Sequence, residues 1–179
     1  TTPEVTTAEA RVSIKTKVRR MQSQSAGGER FDLTTLILDA NGKEVARVAS
    51  PNNQTQPETQ LSQEAIVRTP NLWSTDSPYL YKSVSELRLQ GKLVDRYETN
   101  FGIRYFSFDR EKGFFLNGKA LKINGVCDHH DLGALGAAIN TRALERQLEM
   151  LKAMGANGIR TSHNPPAPEL LDLADKMGF

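Results

Sequence analysis

The three histidines, His129, His130 and His163, all fall in the last third of the chain, with Asp128 and Asp131 beside the first pair and Asn164 beside the third. His129 follows the apolar run Ala120–Val126 by a few residues, and His163 follows Asn157–Thr161 by two. If the two runs are neighbouring parallel strands, their carboxyl ends share one rim, which is where parallel sheets and barrels build their sites. Asp128, His129, His130, Asp131, His163 and Asn164 would then converge, although more than thirty residues separate the two clusters. The alternative is a set of solvated loop residues, since single histidines are often structural. Arg160 lies inside the second run, between Ile159 and Thr161. In a strand covered on both faces, a permanent cation needs a carboxylate partner or an anionic site. At the edge of a sheet it would point into water. A metal is a further option, because Cys127, His129, His130, Asp131 and His163 include soft and borderline ligands suited to zinc or iron. Cys127-Asp128-His129 has no recognised ligand spacing, however, and adjacent histidines on extended backbone point apart, so no metal is expected.

These residues need elements to hold them. Past about residue 113 the pattern reads strand, helix, strand, helix. Ala120–Val126 is a short apolar strand. Asn140 or Thr141 caps a helix in which Leu144, Leu148 and Leu151 recur at helical spacing, with Gly155 as its stop. Asn157–Thr161 is the second strand. Pro168 and Glu169 open a helix with Leu170, Leu173, Ala174 and Met177 on one stripe, and Gly178 ends it. Such alternation predicts parallel βα units, either a small α/β layer or a truncated (β/α)₈ barrel segment. Two units cannot close a barrel. They leave an inner face and strand edges unpaired, so self-association through this segment is expected.

Residues 1–108 read differently. Ala10–Val18 alternates apolar and polar with period two, Phe31–Leu38 does so less strictly, and Asn41-Gly42 turns the chain into Lys43–Val48. Glu64–Thr69, Tyr79–Leu89 and Lys92–Phe101 complete a set of short strands, while Ser50–Pro57 reads as a polar surface loop. The pattern predicts an antiparallel β-sandwich of immunoglobulin type, with Trp73 as an anchor for its core. The expected organisation is therefore mixed: a sandwich over 1–108, then the amino-terminal part of a (β/α)₈ barrel over 109–179.

Composition narrows the function classes. The 179 residues are 38 % hydrophobic and 25 % charged, enough for a packed core. A net charge of +2 argues against nucleic acid or a membrane surface as partner. With Cys127 alone there is no internal disulfide. No run of about 18 apolar residues is present. The first ten residues do not read as a signal peptide, and the compartment, export included, stays open. No glycine-rich nucleotide loop, nucleophile elbow or HExxH occurs, so no cofactor is expected.

Several motifs, in order, resemble a known family. Phe115-Leu116-Asn117-Gly118-Lys119, Gly125-Val126-Cys127-Asp128-His129 and Arg160-Thr161-Ser162-His163-Asn164-Pro165 resemble the opening of the catalytic barrel in glycoside hydrolase family two. Asn71-Leu72-Trp73-Ser74, Pro78-Tyr79-Leu80-Tyr81 and Phe101-Gly102-Ile103-Arg104 are similar to the end of that family's immunoglobulin-like domain. Within the family the likeness is greatest to bacterial β-galactosidases, through Ser162–Pro166, with the β-glucuronidase and β-mannosidase branches as alternatives. The resemblance implies a retaining β-glycosidase acting on terminal β-galactosides. It further implies that His129, His163 and Asn164 bind sugar hydroxyls and that Arg160 orients the nucleophile carboxylate. The family's two catalytic glutamates sit on later barrel strands and its amino-terminal sugar-binding domain lies upstream, so these 179 residues alone are expected to be inactive. A non-catalytic carbohydrate-binding or interaction module is the reading from a different class.

Overall fold

Period-two alternation puts every second side chain of the early strands on one face, and those faces are buried against each other. The computed structural model describes residues 1–19, 31–52 and 58–179. They form two compact units, Thr1–Asn71 with Leu80–Ile103, and Leu72–Tyr79 with Arg104–Phe179.

In the first unit the strands are β1 (Glu4–Val5), β2 (Glu9–Arg19), β3 (Phe31–Leu38), β4 (Glu44–Asn52), β5 (Glu58–Arg68), β6 (Tyr81–Leu89) and β7 (Lys92–Phe101). They build two antiparallel sheets, β1-β2-β5 and β4-β3-β6-β7, the immunoglobulin-like sandwich that the alternation predicts. Ala10 and Val12 of β2, Leu33 and Ile37 of β3, and Ala65 and Val67 of β5 fill the space between them. The sheets are also tied by hydrogen bonds. Thr35 Oγ1 on β3 donates to Gln63 Oε1 on β5 at 2.7 Å, and Gln63 Nε2 donates to Leu33 O and Ser50 Oγ. Thr35 and Gln63 are fully buried, so the pairing is a condition of burying them. Ser50–Asn52 continue β4 and are not loop; the rest of the tract read as a loop, 53–57, lies outside the described residues.

The second unit opens with an antiparallel meander, β8 (Phe106–Asp109), β9 (Gly113–Leu116) and β10 (Lys119–Ala120). β11 (Gly125–Asp128) and β12 (Gly158–Thr161) follow and pair in parallel. The helix α1 (Thr141–Ala153) comes after β11, and α2 (Pro168–Met177) comes after β12. Asn140 caps α1 by accepting from Ala143 N. Leu144 and Leu148 of α1 pack on Leu170 and Leu173 of α2, with Leu151, Ile159 and Met177 around them. The expected strand Ala120–Val126 is in fact broken at 121–124. There the Asn124 backbone N–H donates to Asn157 Oδ1, and Asn157 Nδ2 donates to Lys122 O. Side-chain amides have taken the place of ladder bonds.

Trp73 is not a sandwich anchor. It belongs to the second unit, where its indole Nε1 donates to Asp175 O near the end of α2 and the Arg104 guanidinium lies 4.4 Å over its ring. The same strap, Leu72–Tyr79, offers Thr75 O to Lys152 Nζ of α1, which also donates to Gly178 O. Gly178 caps α2 in the left-handed region at φ 77° and ψ 52°. A Cβ there would meet Thr75 O at 2.3 Å. Gly178→Ala should therefore destabilise the helix pair by at least about 2 kcal/mol, from left-handed strain plus displacement of the strap. Hydrogen exchange of the α1 and α2 amides checks this; protection equal to the parent's would mean that the strap does not hold α2.

Candidate functional site

The parallel pairing brings the two polar clusters together. Gly125, Val126, Cys127 and Asp128 lie opposite Gly158, Ile159, Arg160 and Thr161, and Ser162 N donates to Asp128 O to extend the ladder by one bond. His129 and His163 consequently leave neighbouring strand ends on the same side. Their ring centroids are 5.8 Å apart, edge to face, and both side chains are exposed. Asn164 follows directly, also exposed.

His163 is held by an unusual backbone. Its φ is +64°, and Asn164 N donates to Ser162 O across it at 2.9 Å, so the imidazole sits at the centre of a three-residue turn with positive φ. That turn is rare for a residue with a Cβ and costs on the order of 1–3 kcal/mol. Pro165 and Pro166 follow, and a residue before proline is confined to extended backbone, which fixes Asn164 on the far side of the turn.

The other residues of the first cluster are spent on the loop itself. His130 Nε2 donates to Ala137 O at 3.0 Å, which requires that nitrogen to carry a proton. Asp131 Oδ1 accepts from Gly133 N. Together these close the loop 130–137 around a single 3₁₀ turn at Gly133–Leu135. Asp128 turns toward the helix layer, where its Oδ1 accepts from Gln147 Nε2 of α1 at 3.1 Å. Burial pushes its carboxyl above the usual aspartate range, against the pull of the His129 ring and the Gln147 amide. Gln147 carries no spacing signal in the sequence, so its part in fixing the end of β11 is visible only in three dimensions. Among the described residues no three His, Cys, Asp or Glu side chains are arranged to hold a metal ion.

Arg160 is exposed on the inner face of the strand pair. Its nearest polar contact is Cys127 Sγ, 3.9 Å from Nη1, and among the described residues it makes no ion pair. The surface it shares with Cys127 is open in this chain.

The arrangement is therefore a lip with two imidazoles and an amide at the carboxyl ends of two parallel strands, and a guanidinium on the adjoining inner face. Comparison with known proteins identifies the frame that carries it. The sequence profile of glycosyl hydrolases family 2 matches residues 1–104, and that of the family's TIM barrel domain matches residues 109–179. The chain belongs to glycosyl hydrolases family 2.

Among its relatives, a β-galactosidase of Bacteroides ovatus is 52 % identical over 158 residues, covering 88 % of this chain and 19 % of that protein. A β-glucuronidase of Bacteroides fragilis is 32 % identical over 178 residues, 98 % of this chain and 25 % of its own. The crystal structure of a family 2 member from Bacteroides cellulosilyticus superposes with a TM-score of 0.92 at 39 % identity, over 99 % of this chain and 24 % of that one. The chain thus spans less than a fifth of the length of several curated relatives that it matches. In family 2 terms, the sandwich is the immunoglobulin-like domain and β11-α1-β12-α2 opens the TIM barrel.

The half-buried carboxyl of Asp128 makes a pH-dependent contribution to the stability of this barrel opening. Its folded form holds the proton more tightly than the unfolded chain does. The contribution is complete below the ordinary aspartate value of 3.8 and is lost as pH rises through the higher folded value. The stability of the parent minus that of Asp128→Asn should therefore fall as pH is raised from below the ordinary aspartate value of 3.8 toward neutrality. Urea unfolding of both across that range measures it, and a difference that rises with pH would contradict the burial argument.

Proposed function

We propose that this chain supplies part of the sugar-binding floor of a retaining β-glycosidase acting on terminal β-galactosides. The observation that carries the proposal is the meeting of the His129 and His163 rings, 5.8 Å apart, on the lip where a TIM barrel builds its site. His129, His163 and Asn164 hydrogen-bond the hydroxyls of the sugar in the cleavage subsite. A donor placed so that its bond shortens as the ring flattens toward an oxocarbenium ion stabilises the transition state more than the bound substrate. Arg160 orients the nucleophile carboxylate and keeps it ionised by its charge.

The chemistry itself needs two carboxyl groups about 5–5.5 Å apart. Glu145 and Glu149 of α1 both pair with Arg142, and Glu169 lies in the first turn of α2, so none of the three faces the lip. Asp128 is bonded to Gln147 and Asp131 to its own loop backbone, so these 179 residues by themselves are expected not to hydrolyse glycosides. The choice of sugar rests on the 52 % identity to a protein named β-galactosidase; the β-glucuronidases at 32 % identity over nearly the whole chain favour β-glucuronides as a second reading.

The test is a parallel assay of nitrophenyl β-galactoside and nitrophenyl β-glucuronide on the chain extended through a complete barrel. Higher kcat/KM on the galactoside is expected. His129→Ala and His163→Ala should each lower kcat/KM about 10–100-fold, the loss of one hydrogen bond at 1–3 kcal/mol, with the fold intact by circular dichroism. Unchanged kinetics would remove that histidine from the site, and turnover by the 179-residue chain would overturn the division of labour.

A further inference from the structure

At the amino-terminal ends of β11 and β12, opposite the histidine lip, the meander presents phenylalanines to solvent. Phe106 is 63 % exposed and Phe108 is 74 % exposed. With Phe114 they form one aromatic cluster, the ring centroids 5.2–6.1 Å apart. The register explains why they share a face: Phe108 lies opposite Phe114, and Phe106 lies two residues away opposite Leu116. The face continues into a groove of about 640 Å³ that runs past Ile123 to the first residues of both parallel strands, Gly125 and Gly158. Leu121 N donates to Phe114 O, which fixes the meander against the chain entering β11.

An aromatic side chain carries about 150–250 Å², so these two rings alone leave roughly 200–350 Å² open, the size of a patch that marks an interaction surface. Ile123, 54 % exposed, enlarges it. The same groove is walled by two parallel strands of a fold that needs eight. The relatives are four to eight times longer than the stretch they share with this chain.

We infer that Phe106, Phe108 and Phe114 form a plug for the amino-terminal mouth of the catalytic barrel, and that the surface covering them is the bottom ends of the remaining barrel strands. A barrel of this kind is filled by layers of branched apolar side chains, and the Leu121 bond ties the meander to the chain entering its first strand. In this chain the face lies open. The inference rests on family membership and not on which sugar is cleaved. It gives the meander a role separate from the lip, since bottom-face residues of such barrels govern stability.

The test places a thiol reporter on the plug. In a Cys127→Ser background, Phe108→Cys, and separately Phe106→Cys, is labelled with a thiol reagent both in the 179-residue chain and in the chain continued through eight barrel strands. Labelling should be at least tenfold slower in the longer protein. A reporter that unfolds the longer protein while leaving the shorter one folded supports the plug equally, because only a buried position responds so. Equal labelling rates in the two folded proteins would overturn it. Rates for the 179-residue chain are taken at dilutions where they no longer depend on its concentration, because self-association through its unpaired strands would itself protect the reporter. Activity on a nitrophenyl glycoside is not the readout, so a wrong sugar assignment leaves the result interpretable.

Discussion

Four residue pairs across one parallel ladder determine where the histidine lip and Arg160 lie. A slip of β12 by one position would turn Arg160 into the leucine layer under the helices, where a guanidinium would be stripped of water without a partner. The register is held by groups with little freedom. Gly158 lies so close to Ile123 that a Cβ would come within 2.9 Å of its methyl, and Asn124 and Asn157 bond each other's backbone segments just before the strands begin. The residues that make the lip chemically interesting are exposed and contribute little to this lock. It is the glycine and the paired amides, polar but without catalytic potential, that place them.

The helix layer over the ladder is small, four buried leucines with a few partly covered neighbours. What it lacks in area it gains from the strap at Leu72–Tyr79, which is bonded to α1 through Lys152 and to α2 through Asp175. The Trp73 carbonyl in turn accepts from Asn117 Nδ2, so one short segment joins the meander to the helices. Burial raises the Asp175 carboxyl above the usual range while Arg104, over the indole, works in the opposite direction. The strap is thus a polar clasp closed by one aromatic residue.

Much of this was legible in the sequence because period and spacing are local signals. The strand Phe31–Leu38, the helix starting after Asn140, the Gly178 stop and the neighbouring strand ends of His129 and His163 all follow from side-chain types at fixed intervals. The failures are equally physical. Trp73 follows the sandwich strand β5 in the chain but bonds a helix more than a hundred residues later, and no local pattern encodes so distant a partner. The break at 121–124 depends on Asn157, again distant in sequence. The meander was hidden because its phenylalanines occupy alternate positions on short strands that read equally well as loop. His130 and Asp131 looked like members of the site, yet each bonds backbone within its own loop.

The turn at His163 has a consequence for how this position can drift. An imidazole aimed by a disfavoured backbone torsion keeps its direction only while the neighbouring prolines and the bond from Asn164 hold the turn shut. Glycine or asparagine would relax that torsion while forfeiting the ring, whereas a branched side chain would pry the turn open. Sequence change here is thus confined to a narrow corridor, with an unstrained turn on one side and an aimed imidazole on the other.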